Sequence, residues 1–495
     1  MTQTHTPSEP NRWAVLALLG VAQLMVVLDL TVVNIALPSA QYALHFSTDN
    51  RQWIVTAYAL AFGSLLLLGG KLGDLFGRKW TFIAGLAGFS LASAIGGLAQ
   101  SFAMLVAARA LQGVFGALLA PSALGLLTTT FAGSPDRPKA FGIFGAIAGG
   151  GASVGLLLGG VLTQALSWRW CLYVNLAIAV PTATLSLRLL VNHAQTNRSH
   201  IDLPGVLTGS AGLFAVVYGV SNVETHSWSD PVTIIALAAS TILLCLFVAI
   251  ERRRAHPLLP LEIVANRARG GAYASIVLAG AGVLGAFLFL TYFMQQNLGF
   301  SPLTTGLAFL PMTALTVLSS TISQTGILPR TGAKPLITVG MLLGGVAMVR
   351  LTSLSPGSGY ASDVLPSLIV LGLGLGMIFA PAIGTATLGV NRNEAGVASA
   401  MVNTSQQIGG SVGTALLSTL FASSAAAFAR THAGLHGLQA AAQVHGYTTA
   451  FWWSAGIFAA GLLIAVFVFP IRVMSTEPTL AAESAGATEL ALATE

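Results

Sequence analysis

Two charged residues in apolar surroundings demand a chemical explanation. Asp29 lies in the stretch Val26 to Pro38, at the end of a long apolar segment, and is the only acid near the middle of any such segment. A bare charge in hydrocarbon costs at least a few kcal/mol, so this carboxylate must be neutralised, paired or wetted. One reading is a protonation site: desolvation lets a carboxyl hold a proton at working pH, so Asp29 could load and release one or pair with a cationic substrate. The plainer reading is a static acid satisfied by a neighbouring Asn or Arg. Arg109 is its natural partner and the one basic residue inside an apolar segment. Helical spacing puts Arg109, Gln112, Gly113 and Gly116 on one face, a polar, glycine-lined stripe that belongs to a bundle interior. Pairing opposes desolvation at Asp29, and switching between the two would be a mechanism. Alternatively, Arg109 snorkels or caps a carbonyl. Asn34 follows Asp29 by five residues and falls on a different stripe.

Two further groups carry polar chemistry. The stretch Gly70 to Lys79 reads as a tight loop between antiparallel helices, with glycines for the turn and Asp74, Arg78 and Lys79 as a mixed-charge cluster. It is either a gate latch or a topogenic basic loop. Trp53, Tyr58, Tyr292 and Gln296, with Asn34, Gln112, Asn403 and Gln407, could line an aromatic, weakly polar substrate cavity; aromatics near helix ends also form interfacial belts. Gly151, Gly155 and Gly159 make a close-packing stripe.

The elements that hold these residues follow from composition. Of 495 residues, 54% are hydrophobic and 8% charged, and the mean hydropathy is +0.79. Soluble chains carry about a quarter charged residues, so a polytopic all-α membrane protein is expected. The segment after Arg12 reads as a first span rather than a signal peptide. Windows of about 20 apolar residues mark about fourteen spans. With the N-terminus inside, most of the 22 Lys and Arg fall on the cytoplasmic side, leaving Arg51, Arg169, Arg350 and Arg430 outside. The basic pI therefore reflects topology and not nucleic acid. Gly326 to Lys334 resembles Gly70 to Lys79, so spans 1–6 match spans 9–14 and the two spans within residues 203–250 are an insertion. The expected domains are a six-helix bundle at 1–190, a linker with two extra spans and a cytoplasmic connector at 191–270, a second six-helix bundle at 271–474, and a disordered cytoplasmic tail at 475–495. Cys171 and Cys245 give neither a disulfide framework nor metal-ligand spacing. No phosphate-binding G-x-x-x-x-G-K-[ST] loop and no H-E-x-x-H zinc motif occurs. No cofactor, no metal, no ATP and no enzymatic activity are expected. Transport, if that is the function, runs on an ion gradient.

These motifs together resemble the major facilitator superfamily, and within it the fourteen-span drug:proton antiporters of the EmrB/QacA type. The resemblance covers nearly all of the chain. It rests on Leu28 to Pro38, on Gly70 to Lys79, on Arg109 with Gln112-Gly113, on Trp168-Arg169-Trp170 followed by Asn175, and on Ala395 to Ser399. It implies two six-helix bundles in the cell membrane, cytoplasmic termini, a central cavity and alternating access. It also implies proton coupling through Asp29 and Arg109, and a gating loop of Gly70, Gly73, Asp74, Gly77, Arg78 and Lys79 in which Asp74 with Arg78 latches the inside-closed state. The implied activity is export of amphipathic or cationic drugs or antibiotics; a metabolite importer or facilitator of the same fold is the alternative. One departure stands out: Leu156 follows Gly155 where that family usually has proline, which removes an expected kink.

Overall fold

The computed structural model describes residues 11–46, 51–191, 202–223, 226–254, 257–391, 394–432 and 437–470. The expected tail at 475–495 and the side chain of Asn34 lie outside the described residues. No strand occurs among them. A chain this apolar must satisfy its backbone within each segment, and helices do so.

The first group is α1 (Arg12–Leu44), α2 (Arg51–Phe76), α3 (Arg78–Gly97), α4 (Phe102–Thr130), α5 (Arg137–Ala165) and α6 (Trp170–Leu189). A hairpin of α7 (Leu203–Val223) and α8 (Pro231–Glu251) follows, then the short α9 (Leu261–Ala265). The second group is α10 (Arg267–Tyr292), α11 (Pro302–Ile322), the one-turn α12 (Leu328–Thr331), α13 (Ala333–Leu351), α14 (Leu365–Ala386), α15 (Ala395–Thr431) and α16 (Leu438–Phe467). Short π-helical turns extend α10 and α11 and lead into α14. Thirteen helices among the described residues are long and apolar enough to cross a membrane. The expected fifth span falls on α5, a continuous 29-residue helix; its side chains at 149, 150, 152 and 153 lie outside the described residues, and it is not counted among the thirteen.

Packing partners recur between the groups. In the first, α4 packs on α2 and α3, and α1 on α5 and α6; in the second, α14 packs on α11 and α13, and α10 on α15 and α16. Across the divide, α5 lies against α11 and α14, while α15 lies against α2 and α4. These are the same contacts with the halves exchanged, giving the two six-helix bundles a pseudo-two-fold relation. The α7–α8 hairpin rests on α2 and touches α15, at the seam.

The helix–loop–helix expected at Gly70 to Lys79 needs correction. α2 runs through Phe76, and α3 begins at Arg78. The whole reversal is Gly77, at φ +91°, a left-handed conformation that glycine adopts without a Cβ penalty. The charged residues suggested a loop, but their side chains leave a helical backbone that bonds internally. The partner stretch repeats the device: Gly332, φ +78°, follows the end of α12 at Thr331, and α13 starts at Ala333.

Candidate functional site

α1 presents Asp29 to the interior of the first bundle. On its other face Val27, Thr31 and Val32 fit over Gly151, Gly155 and Gly159 of α5. A Cβ at Gly159 would stand 3.1 Å from the Val32 Cα, so the stripe lets the two backbones meet. No proline interrupts α5, and Leu156 is buried. α5 runs as one helix through Gly155-Leu156 and packs along α1.

Asp29 is wholly buried, as are Arg109, Gln112, Asn175 and Ser93. Arg109 Nη1 donates to Asp29 Oδ2 at 2.5 Å. Asp29 Oδ1 accepts from Gln112 Nε2 at 3.0 Å and from Asn175 Nδ2 at 2.8 Å. Both amides also donate to Ser93 Oγ, at 2.5 Å and 3.1 Å. Arg109 is further held by Gln112 Oε1 at 2.9 Å, by the Ile54 carbonyl at 3.2 Å and by the Tyr58 ring, 4.5 Å from its Cζ. Five helices, α1 to α4 and α6, thus contribute to one cluster with no exposed charge. The bonds to this carboxylate are charge-assisted, which makes them stronger than bonds between neutral groups.

The expected cavity residues lie in several places. Gln112 and Tyr58 are buried beside Asp29 and Arg109. Trp53 lies five residues before Tyr58, more than a quarter-turn away around α2, and faces Tyr218 of α7 with ring centroids 6.4 Å apart. Asn403 spends its amide on the Ser399 carbonyl of its own helix, at 3.0 Å. Gln296 accepts from the Tyr447 hydroxyl at 3.2 Å, tying the end of α10 to α16. Tyr292 is partly exposed. Gln407 is half-buried at the α2–α15 seam, its Cγ 3.1 Å from where a Cβ on Gly63 would stand. Ser93 carries no signal in the sequence, because a lone serine in an apolar helix has nothing to mark its position. Asn175 is visible there only as part of a motif.

The second constellation sits at the seam. Asp74, near the end of α2, accepts from the backbone N–H of Gly396 at 3.1 Å and of Val397 at 3.3 Å. These are free donors of the first turn of α15, whose own N-cap residue Glu394 makes no side-chain cap bond. A carboxylate of one bundle therefore caps a helix of the other, where the helix dipole favours negative charge. Arg78 holds the same carboxylate through Nε at 3.1 Å and Nη2 at 2.5 Å. Gly70 and Gly396 allow the approach: a Cβ on Gly396 would stand 2.5 Å from the Gly70 carbonyl oxygen. Gly73 lies against Ser122 of α4, and Lys79 donates to the Leu187 carbonyl of α6 at 2.9 Å. No group of three or more His, Cys, Asp or Glu that could hold a metal occurs among the described residues.

Comparison with known proteins agrees with this architecture. The model of the Major Facilitator Superfamily matches residues 19–414. The chain is 46% identical over 472 residues to the puromycin resistance protein pur8 of Streptomyces alboniger, covering 95% of this chain and 93% of that protein. It is 37% identical over 468 residues to the cephamycin export protein CmcT of Amycolatopsis lactamdurans, covering 94% and 93%. Among solved structures, the human organic anion transporter MFSD10 (TETRAN) superposes with a TM-score of 0.63 at 15% identity, over 92% of this chain and all of that one, a likeness of fold. With the repeated bundles and a family match over most of its length, the chain belongs to the Major Facilitator Superfamily and is a multi-pass cell-membrane transporter of small molecules.

Proposed function

We propose that this protein is a secondary transporter that exports amphipathic small molecules, antibiotics among them, in exchange for protons. The observation that carries this reading is the Asp29–Arg109 pair, buried together and shared by five helices. Relatives named for puromycin resistance and cephamycin export support the direction and the class of substrate. In this mechanism Asp29 takes up a proton in one access state and gives it up in the other. When Asp29 is neutral, Arg109 loses its anion but keeps Gln112 Oε1, the Ile54 carbonyl and the Tyr58 face. The cation therefore stays in place while the bond between α1 and α4 weakens. Protonation thus converts directly into looser packing of α1, which is the link from chemistry to movement.

Asp74 is the proposed latch. With the termini and the Gly77 reversal assigned to the cytoplasm, the α15 cap closes the cytoplasmic side and must break when that side opens. The bundles divide near residues 190 and 271, with the α7–α8 hairpin as an insertion between them, and neither ATP nor a nucleic acid takes part. The protein performs no enzymatic reaction in this reading.

The test is Asp29→Asn in proteoliposomes loaded with a cationic dye. Proton-driven efflux is expected to fall to the level of protein-free vesicles, while dye binding persists. Full retention of coupled efflux would refute the role of Asp29. Flux of the substrate with the proton, rather than against it, would instead favour an importer.

A further inference from the structure

Asn175 has one polar atom that the pair chemistry does not use. Its Nδ2 donates to Asp29 Oδ1 at 2.8 Å and to Ser93 Oγ at 3.1 Å, while its Oδ1 is buried without a hydrogen-bond partner. A buried, unpaired carbonyl costs roughly 1–3 kcal/mol, so it calls for an explanation. Ser93 Oγ is doubly occupied as an acceptor, by Asn175 and by Gln112.

This arrangement suits a carboxylate and does not suit a carboxylic acid. An ionised Asp29 only accepts, and three donors reach it. A protonated Asp29 becomes a donor in need of an acceptor. The donors aimed at Oδ1 are both amide N–H groups, so a proton placed there would face them without a partner. Turning the Asn175 amide by half a revolution about its last torsion exchanges Nδ2 and Oδ1. Its carbonyl oxygen then stands where Nδ2 is now, within bonding distance of both Asp29 Oδ1 and Ser93 Oγ. Both of those oxygens can then donate to it. Each orientation leaves one end of the amide unpaired, so neither is favoured strongly by its surroundings. The protonation state of Asp29 decides between them.

We infer that Asn175 is a positioning residue whose side-chain amide turns over when Asp29 binds a proton, with Ser93 as the hydroxyl that completes either arrangement. The inference rests on the proposed role of Asp29 in proton coupling. It adds that α6 and α3 read the protonation state alongside α4. The atoms balance without a further reactant: the proton resides on Asp29, and the amide rearranges hydrogen bonds only.

The experiment is acid-minus-alkaline infrared difference spectroscopy on the full-length protein in liposomes, with asparagine isotopically labelled at its side-chain carbonyl. A carboxylic acid band that disappears in Asp29→Asn is expected on acidification. An asparagine carbonyl band is expected to move to lower frequency with it, because the carbonyl passes from unpaired to accepting. That band is expected to be lost in Asn175→Ser while the Asp29 band remains, since a hydroxyl also both donates and accepts. Proton-driven efflux is expected to survive in Asn175→Ser and to be lost in Asn175→Leu. An asparagine band that stays still or rises while the Asp29 band appears would overturn the inference and leave Asp29 as the coupling site. Absence of any Asp29-dependent acid band would overturn both.

Discussion

At the scale of single residues, the pairing of Asp29 with Arg109 is legible in the sequence, because each is the lone charge of its sign within an apolar segment. Two such charges must find each other or water. Their supports are less legible. Gln112 shares the Arg109 face, so its burial beside Arg109 follows from spacing, but its bond to Asp29 depends on how α1 meets α4. Ser93 and Tyr58 enter through packing alone. The cluster makes a stability prediction. Replacing one partner of a buried ion pair strands the other, at a cost of about 3–5 kcal/mol. Arg109→Met is therefore expected to lower the unfolding temperature in detergent at neutral pH. The double variant Asp29→Asn/Arg109→Met is expected to recover stability at neutral pH without recovering coupled efflux. Thermal unfolding of the native, single-variant and double-variant proteins checks this, and a double variant no more stable than Arg109→Met would contradict it.

At the scale of elements, the sequence suggests where the chain reverses but not how little backbone the reversal uses. A charged, glycine-rich decapeptide reads as a loop, yet only Gly77 leaves the helical region. The consequence is mechanical: Asp74 stays on a rigid helix, and its carboxylate is presented to α15 at a fixed height. Nothing in the local sequence shows that Glu394 fails to cap α15 or that Asp74 does so instead, since the two residues lie in different bundles. Hydrogen bonds to a charged group contribute about 1.5–3 kcal/mol each. Asp74→Ala removes two across the seam, so a shift toward the separated state of at least about tenfold is expected, the equivalent of 1.4 kcal/mol. The measurement is the rate at which a membrane-impermeant thiol reagent labels Val397→Cys, a position now buried, with Cys245 replaced by Ser. Faster labelling in the Asp74→Ala background supports the latch. An unchanged rate would mean that the seam is held by glycine packing between Gly70 and Gly396 alone.

At the scale of the whole molecule, the repeat hinted at by two short stretches extends to the packing of entire bundles. The sequence similarity is faint because lipid-facing and core positions tolerate many apolar residues; what persists is the order of contacts and the paired reversals at Gly77 and Gly332. Exchange of the halves maps the α2–α15 seam onto the α5–α11 seam. The latter carries its own close approach at the end of α5, where a Cβ on Gly160 would stand 3.9 Å from the Leu303 Cβ. Disulfides form with Cβ atoms about 3.5–4.5 Å apart. In a background lacking Cys171 and Cys245, the pair Gly160→Cys/Leu303→Cys is therefore expected to oxidise spontaneously, which a gel-shift after thiol labelling would register. If access alternates by rocking one bundle against the other, this bond fixes α5 to α11 and stops turnover, and a reductant restores it. Each single cysteine variant should remain active under oxidising conditions. Undiminished efflux by the fully oxidised pair would show that these helix ends do not separate during the cycle, and that movement is confined to the α2–α15 side.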